Sequence, residues 1–424
     1  MRGTMTIRLG LFFLLAAVVV PFGVLPGRAL AQQEQWLGYR SASAAREYVG
    51  STSGQVLIAR NNPPDGVGLP KFTGEKALFA LWKIDIVKLT GPAARDKGLW
   101  LALDSSRKAG QYDTLYIDAN GNGSLADEKP IRAEHVGGEW QNVKETIFYA
   151  NFGPVRLALD GGDGTITYHA GFHYQRDGSG PHKIYVSGNC WYEGVVTIAG
   201  RKFMCSVIDS NANWRFGERS ANKDQCDRYM LQPFLAGMGP QELADVSSVP
   251  MGRYVLVEGK YYTMDVAPDG TAVTFTPAKV SAGRIMPGQG VSSLKVTGPA
   301  GTFDLDVRNG FVEVPEGEYT LEVYKVARKD EKGNNWCANG CADPGAKPIV
   351  VRPGSETKLD VGEPFVWSMS ASPAGQGLYA LSQALRTKRG ASVVLICNGQ
   401  LLPAKVRITN ADGTYDRTFS MEYG

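Results

Sequence analysis

The chain is poor in the features that announce a reaction. It has no HExxH zinc-hydrolase helix, no GxSxG nucleophile elbow, no phosphate-binding P-loop and no glycine fingerprint between a strand and a helix. It has no CxxC pair, which removes a thioredoxin-type redox site. After the first thirty or so residues it has no apolar run long enough to span a bilayer as a helix. It also lacks a real excess of charge. The 424 residues hold 45 Lys and Arg against 42 Asp and Glu, but Arg2, Arg8 and Arg28 lie in an N-terminal segment without acids. Without that segment the balance is 42 against 42. A neutral chain with no dense basic run gives no footing to nucleic acid or to an anionic membrane as a general partner; Arg386-Thr-Lys-Arg389 is too short to supply one.

What is present begins with the N-terminus. Arg2 and Arg8 precede an uncharged apolar stretch, Leu9 to Val20, and Ala29-Leu30-Ala31 is a small-x-small cleavage site. This is the layout of a secretory signal peptide over residues 1–31, with a mature N-terminus expected at Gln32. A secreted, periplasmic or envelope location follows, with no stable membrane span after the signal is removed. In that compartment six cysteines invite disulfides. The spacing of Cys337 and Cys341 suggests a small loop staple, and one pair is expected among Cys190, Cys205 and Cys226.

Glycine is abundant, at 51 residues, aromatics make up 10%, and long helical patterns are rare. Short alternating segments separated by turn residues point instead to an all-β chain of tandem β-sandwich or meander units. Thr165 to Tyr174 alternates with Ile166, Tyr168, Ala170 and Phe172 on one face. Ala199-Gly200 reads as a two-residue hairpin turn. A boundary near Pro277 to Pro287 divides an N-terminal β domain, 32–278, from a β-sandwich, 279–364, followed by a C-terminal β unit, 365–424. Short helices are expected near Ser41 to Tyr48 and Gln241 to Val246. Ala380 to Leu385 is readable as a helical turn or a strand.

The sharpest local pattern is Asp118-Ala-Asn120-Gly-Asn122-Gly123-Ser124, followed by Asp127 and Glu128. Oxygen-bearing side chains stand at positions one, three and five, and glycine at six, where a tight loop must turn. Calcium takes six to eight hard oxygens, and alternate residues of such a loop can direct theirs inward. Ser124 would add its backbone carbonyl, and Asp127 or Glu128 the closing acid. A second copy runs Asp209, Asn211, Asn213 and Glu218, with Trp214 in place of the glycine. Both follow an apolar strand, which suggests an internal repeat. The first pattern resembles EF-hand and dockerin calcium loops, although position twelve is Lys129 and the preceding element is a strand. The resemblance implies a bound calcium ion.

Gly310 to Tyr324 contains a strand, a Pro315-Glu-Gly317 turn and an alternating strand. It resembles prealbumin-like and carboxypeptidase-regulatory-like β-sandwich modules. As a whole the chain looks like uncharacterised exported bacterial β-rich proteins with DxNxNG loops, a likeness that implies no activity.

His169 and His173 fall on one face of a strand with His182 nearby, the pattern either of a metal site or of ordinary strand histidines. Trp82, Trp100, Trp140, Trp191 and Trp214 could stack on sugars or fill strand cores. The reading that best fits these signals is a non-enzymatic, calcium-stabilised binding module for an envelope protein or glycan. The alternative is a carbohydrate-active hydrolase with dispersed carboxylates.

Overall fold

The computed structural model describes residues 34–42, 54–105, 111–138, 147–220, 222, 225–235, 248–343, 345–375 and 377–421. The signal segment, both expected short helices past their edges, and Trp140 lie outside these residues. The protein is all-β, with 58% of residues in strands and 2% in helix. The alternation of β-branched and aromatic residues with polar ones explains why: each strand has one face to bury.

Four antiparallel sheets surround the first core. A meander joins Leu78–Lys83, Gly98–Asp104, Thr114–Ile117 and Ile131–Arg132. A five-stranded sheet runs Gln55–Ala59, His182–Gly188, Thr165–Asp177, Ile147–Asp160 and His135–Gly138. A second five-stranded sheet runs Val249–Pro250, Arg228–Pro233, Arg201–Ile208, Cys190–Ile198 and Gly38–Ser41. The fourth sheet is built on Lys260–Val266 and Ala272–Pro277, flanked by Gln35–Trp36 and Val255–Val257. Their inner faces supply one continuous cluster that includes Trp82, Tyr168, Phe172, Trp214, Tyr229 and Phe275.

The expected alternation in Thr165–Asp177 is present, with Tyr168, Ala170, Phe172 and Tyr174 buried and a β-bulge between Ala170 and Phe172. The turn at Ala199-Gly200 closes the hairpin at the Ile198–Arg201 pair, with φ of 51° and 82°. These are the values a primed two-residue turn needs to match strand twist.

A second cluster, from Ile285 to Val393, is centred on Leu294, Val296, Phe303, Tyr319 and Tyr324. Ala282–Pro287 pairs with Val312–Pro315 and, in parallel, with Glu356–Leu359. The larger sheet carries Gly301–Asp306, Val291–Gly298, Gly317–Lys329, Asn335–Cys341 and Val393–Cys397 in that order. The Pro315-Glu-Gly317 turn therefore takes the chain from one sheet to the other, and the Tyr319 hydroxyl donates to the Pro315 carbonyl across it at 2.8 Å. Tyr254, Leu256 and Tyr261 from the preceding segment also pack on this core. Ala380 to Leu385 belongs to a strand, Leu378–Arg386, paired with Val366–Gly375.

The disulfide expectation is overturned. All six cysteines are free thiols. Cys337 and Cys341 occupy one extended strand, Asn335–Cys341, held between Gly317–Lys329 and Val393–Cys397. At ~3.4 Å per residue they stand about 14 Å apart, beyond any disulfide. Cys190 pairs in register with Ser41 and Cys205 with Gly194 and Leu231, so neither faces another thiol. The Cys226 thiol donates to the Ser220 carbonyl at 2.8 Å.

Candidate metal centre

Both loops begin where a buried strand ends. Thr114–Ile117 delivers Asp118, and Arg201–Ile208 delivers Asp209; their side chains are 0% and 1% exposed. In each, the leading carboxylate ties down the loop backbone. Asp118 accepts from the Asn122 amide at 3.0 Å and the Gly123 amide at 2.8 Å. Asp209 accepts from the Asn213 amide at 3.2 Å and the Trp214 amide at 2.7 Å.

The scheme continues position by position. Asn120 and Asn122 both reach the same Asp127 oxygen, at 2.9 and 3.0 Å. Asn211 and Asn213 both reach the same Glu218 oxygen, at 3.0 and 2.6 Å. The Asn122 side-chain oxygen accepts from the Ser124 amide at 2.7 Å, as that of Asn213 accepts from the Arg215 amide at 2.9 Å. Left-handed φ also falls at equivalent places: 67° and 78° at Gly121 and Gly123, 52° and 73° at Ala212 and Trp214. The repeat inferred from spacing is thus a repeat of hydrogen bonds and backbone torsions.

A further carboxylate backs each loop. Glu128 accepts from the Ala119 amide at 2.7 Å. Asp227 accepts from the Ser210 amide at 3.0 Å and from the Glu218 amide at 2.9 Å. Glu128 and Asp227 occupy the same role from different sequence positions, so spacing alone could not pair them. Asp227 stands close downstream of the second loop in the sequence, but the pattern gives it no role. It lies just ahead of Arg228–Pro233, whose pairing with Arg201–Ile208 brings it back to the loop.

The loops differ at position six. Gly123 lies against the short helix Gly91–Asp96, where a Cβ would come within 2.6 Å of the Ala93 nitrogen. Trp214 is turned into the core instead. Its indole is 0% exposed and stacks on Tyr168 at 4.8 Å and 12°. The Tyr168 hydroxyl donates to Asp209 at 2.9 Å, and the Trp82 indole donates to the Ala212 carbonyl at 2.6 Å.

Burial sets the electrostatics. It pushes the Asp118 and Glu128 carboxyls up, against the pull of the backbone amides they accept from. It pushes Asp209 and Asp227 up further, each raised again by neighbouring acids. Asp127, at the surface, is held low by the Asn120, Asn122 and Ser124 side chains. Among the described residues the Asn211 side-chain oxygen is buried without a hydrogen-bond partner. Among the described residues no three His, Cys, Asp or Glu side chains gather as a metal cluster, so any ion here would depend on amide and backbone oxygens as well as acids.

The three histidines singled out by spacing are kept apart. His169 Nδ1 bonds the Tyr39 hydroxyl at 2.6 Å, His173 Nδ1 bonds Asn151 at 2.5 Å, and His182 Nδ1 bonds the Tyr174 hydroxyl at 2.8 Å. Trp82 and Trp214 are core, while Trp100 and Trp191 are half-buried. Among the described residues no helix is long and apolar enough to cross a membrane. A cavity of ≈ 860 Å³ opens beside Leu378–Arg386 and has Arg386 and Lys405 as its charged lining residues, with no carboxylate. Comparison of the chain with family models, with curated proteins and with solved structures gives no match.

Proposed function

We propose that this chain is an exported, non-enzymatic β protein whose first domain is stapled by calcium, and that it serves as a binding module for an envelope protein or glycan. The observation that carries the reading is the duplicated loop. In each copy, the Asn side chains of positions three and five both donate to an acid at position ten, on a backbone fixed by the buried carboxylate of position one.

The two loops offer the hard oxygens that calcium takes, once the Asn side chains turn their oxygens inward. Asp118, Asn120, Asn122, Asp127 or Glu128, and the Ser124 carbonyl would hold it in the first loop. Asp209, Asn211, Asn213 and Glu218 would hold it in the second, where Asp227 braces the backbone. A cation beside the buried carboxylates removes the cost of their charge. It also gives the orphaned Asn211 oxygen a partner. Calcium bound to the folded state alone stabilises it by mass action. The cavity without acids lends nothing to a glycosidase, which needs two carboxyl groups across a cleft.

The test is a melting curve of the exported form in chelator and in excess calcium. At a hundredfold excess over the dissociation constant, the ion should raise the melting temperature by about 5 °C or more. Asp118→Ala should remove most of the shift, and Asp209→Ala the part owed to the second loop. Identical curves with and without calcium would overturn the reading.

A further inference from the structure

From Pro364 to Leu385 the sequence has no charged residue. This stretch forms the hairpin of Val366–Gly375 and Leu378–Arg386, a two-stranded sheet with no third strand among the described residues. The register sorts it into two unlike faces. Trp367 stands opposite Leu385, Met369 opposite Gln383, Ala371 opposite Leu381, and Pro373 opposite Tyr379. The other face pairs Ser368 with Ala384, Ser370 with Ser382, and Ser372 with Ala380. On that face the Ser370 and Ser382 hydroxyls bond each other at 2.7 Å.

Every residue of Val366–Gly375 is exposed, and on the apolar face Trp367, Met369 and Tyr379 are 52%, 57% and 67% exposed. An isolated two-stranded hairpin is marginal in water, and a contiguous apolar face in water marks an interaction site. The nature of the occupant follows from what surrounds the face. A protein partner is ordinarily met by a polar rim with charge of both signs; the hairpin itself carries no charge on this face, and the cavity lined by Trp367, Leu381 and Leu385 adds only the cations Arg386 and Lys405. Trp367 sits at the base of the apolar face and Tyr379 near its tip. Such amphipathic rings favour the boundary between water and lipid.

The charges at the base complete the picture. Glu363 is paired with Arg328, and Arg389 with Asp360. Arg386 donates to the Gly390 carbonyl, and neither it nor the exposed Lys388 has an ion-pair partner among the described residues. The uncharged face is therefore bordered by unneutralised cations, the complement of an anionic headgroup layer.

We propose that this hairpin seats its Trp367–Met369–Leu381–Tyr379 face on an anionic lipid surface. The hairpin lies at the interface and does not cross it. Apart from the Arg386–Ser392 bridge, its two outer edges have no ladder partner among the described residues, and the hydrocarbon core does not tolerate unpaired backbone groups. Expectations based on long apolar helices do not bear on a strand that alternates.

The test uses the chain starting at Gln32, so that the apolar N-terminal segment cannot anchor it. It should float with vesicles of phosphatidylglycerol and phosphatidylcholine, float less with phosphatidylcholine alone, and detach as salt rises. Met369→Asp combined with Leu381→Asp should weaken binding by about tenfold or more. Ser370→Asp, on the opposite face, should leave it largely intact. Brominated lipid should quench tryptophan fluorescence in the unaltered protein, and Trp367→Phe should lose that quenching, a readout that needs no misfolding-prone variant. Absence of flotation overturns the proposal. So does a dimer by light scattering that Met369→Asp dissolves while vesicles bind neither form, since the occupant is then a second copy.

Discussion

Trp214 occupies a backbone position that glycine fills in the sister loop. A left-handed φ of 73° costs a β-carbon-bearing residue about 1–2 kcal/mol. Against this stands a fully buried indole packed on Tyr168 and Trp82; truncating such a side chain costs about 3–5 kcal/mol. Burial wins, and the residue is kept for the core despite the strain. Trp214→Gly should therefore destabilise the protein by about 1–4 kcal/mol even though it relieves the torsion. Urea denaturation checks this: the midpoint should fall with an unchanged slope. A neutral or stabilising result would mean that the loop, and not the core, selected the residue. From the sequence, Trp214 reads as a departure from the calcium pattern. The fold shows a side chain answering to a different neighbour, which no spacing rule contains.

At the scale of the element, turns and strands were legible where one local requirement decided them. Ala199-Gly200 is such a case, because a two-residue hairpin dictates its torsions. Cys337 to Cys341 is the opposite case. The Ala338-Asn339-Gly340 insert suggests a turn, but pairing on both sides holds it extended. Gly340 is there because a Cβ would meet the Tyr324 ring at 2.3 Å. The turn that precedes this strand yields a pH prediction. Asp330 accepts from the Lys332 and Asn334 amides at 2.9 and 2.8 Å, and from the Asn334 side chain and Trp336 indole at 2.9 Å each. The Trp336 and Asn334 side chains lead in holding its carboxyl down, to about 2. A carboxyl lowered by folding contributes stability above its unfolded pKa and loses it as pH falls through the folded one. The melting-temperature gap between the wild type and Asp330→Ala should be constant above about pH 5 and close as pH drops toward 2. A gap that widens on acidification would exclude this role.

For the whole molecule, the all-β class was legible because alternation and turn residues are repeated along most of the chain. The way separate strands assemble was not. Asp227 joins the second loop through the pairing of two strands, and six cysteines fail to meet because register, not abundance, decides which residues are neighbours. Three buried apolar clusters, the smallest built on Phe79, Tyr116 and Leu125, and a network of antiparallel ladders hold the fold without a covalent link among the described residues. Reductant should consequently leave the melting temperature unchanged. A thiol reagent under native conditions should label Cys341 first, and spare Cys190, Cys205 and Cys226 until unfolding. Mass spectrometry of the alkylated peptides distinguishes this from a disulfide-bonded protein, in which reduction precedes labelling.

The stacking of Trp214 on Tyr168, with Trp82 at 5.9 Å, also has an optical consequence. Rings held this close and fixed in orientation couple electronically, so the near-ultraviolet circular dichroism of the protein should carry a band originating beside the Asp209 carboxylate. The first loop has glycine where this chromophore sits. One chain thus carries two versions of the same loop, of which only the second has an indole at position six. Titrating an ion while following that band separates events at the second loop from events at the first without labels or substitutions.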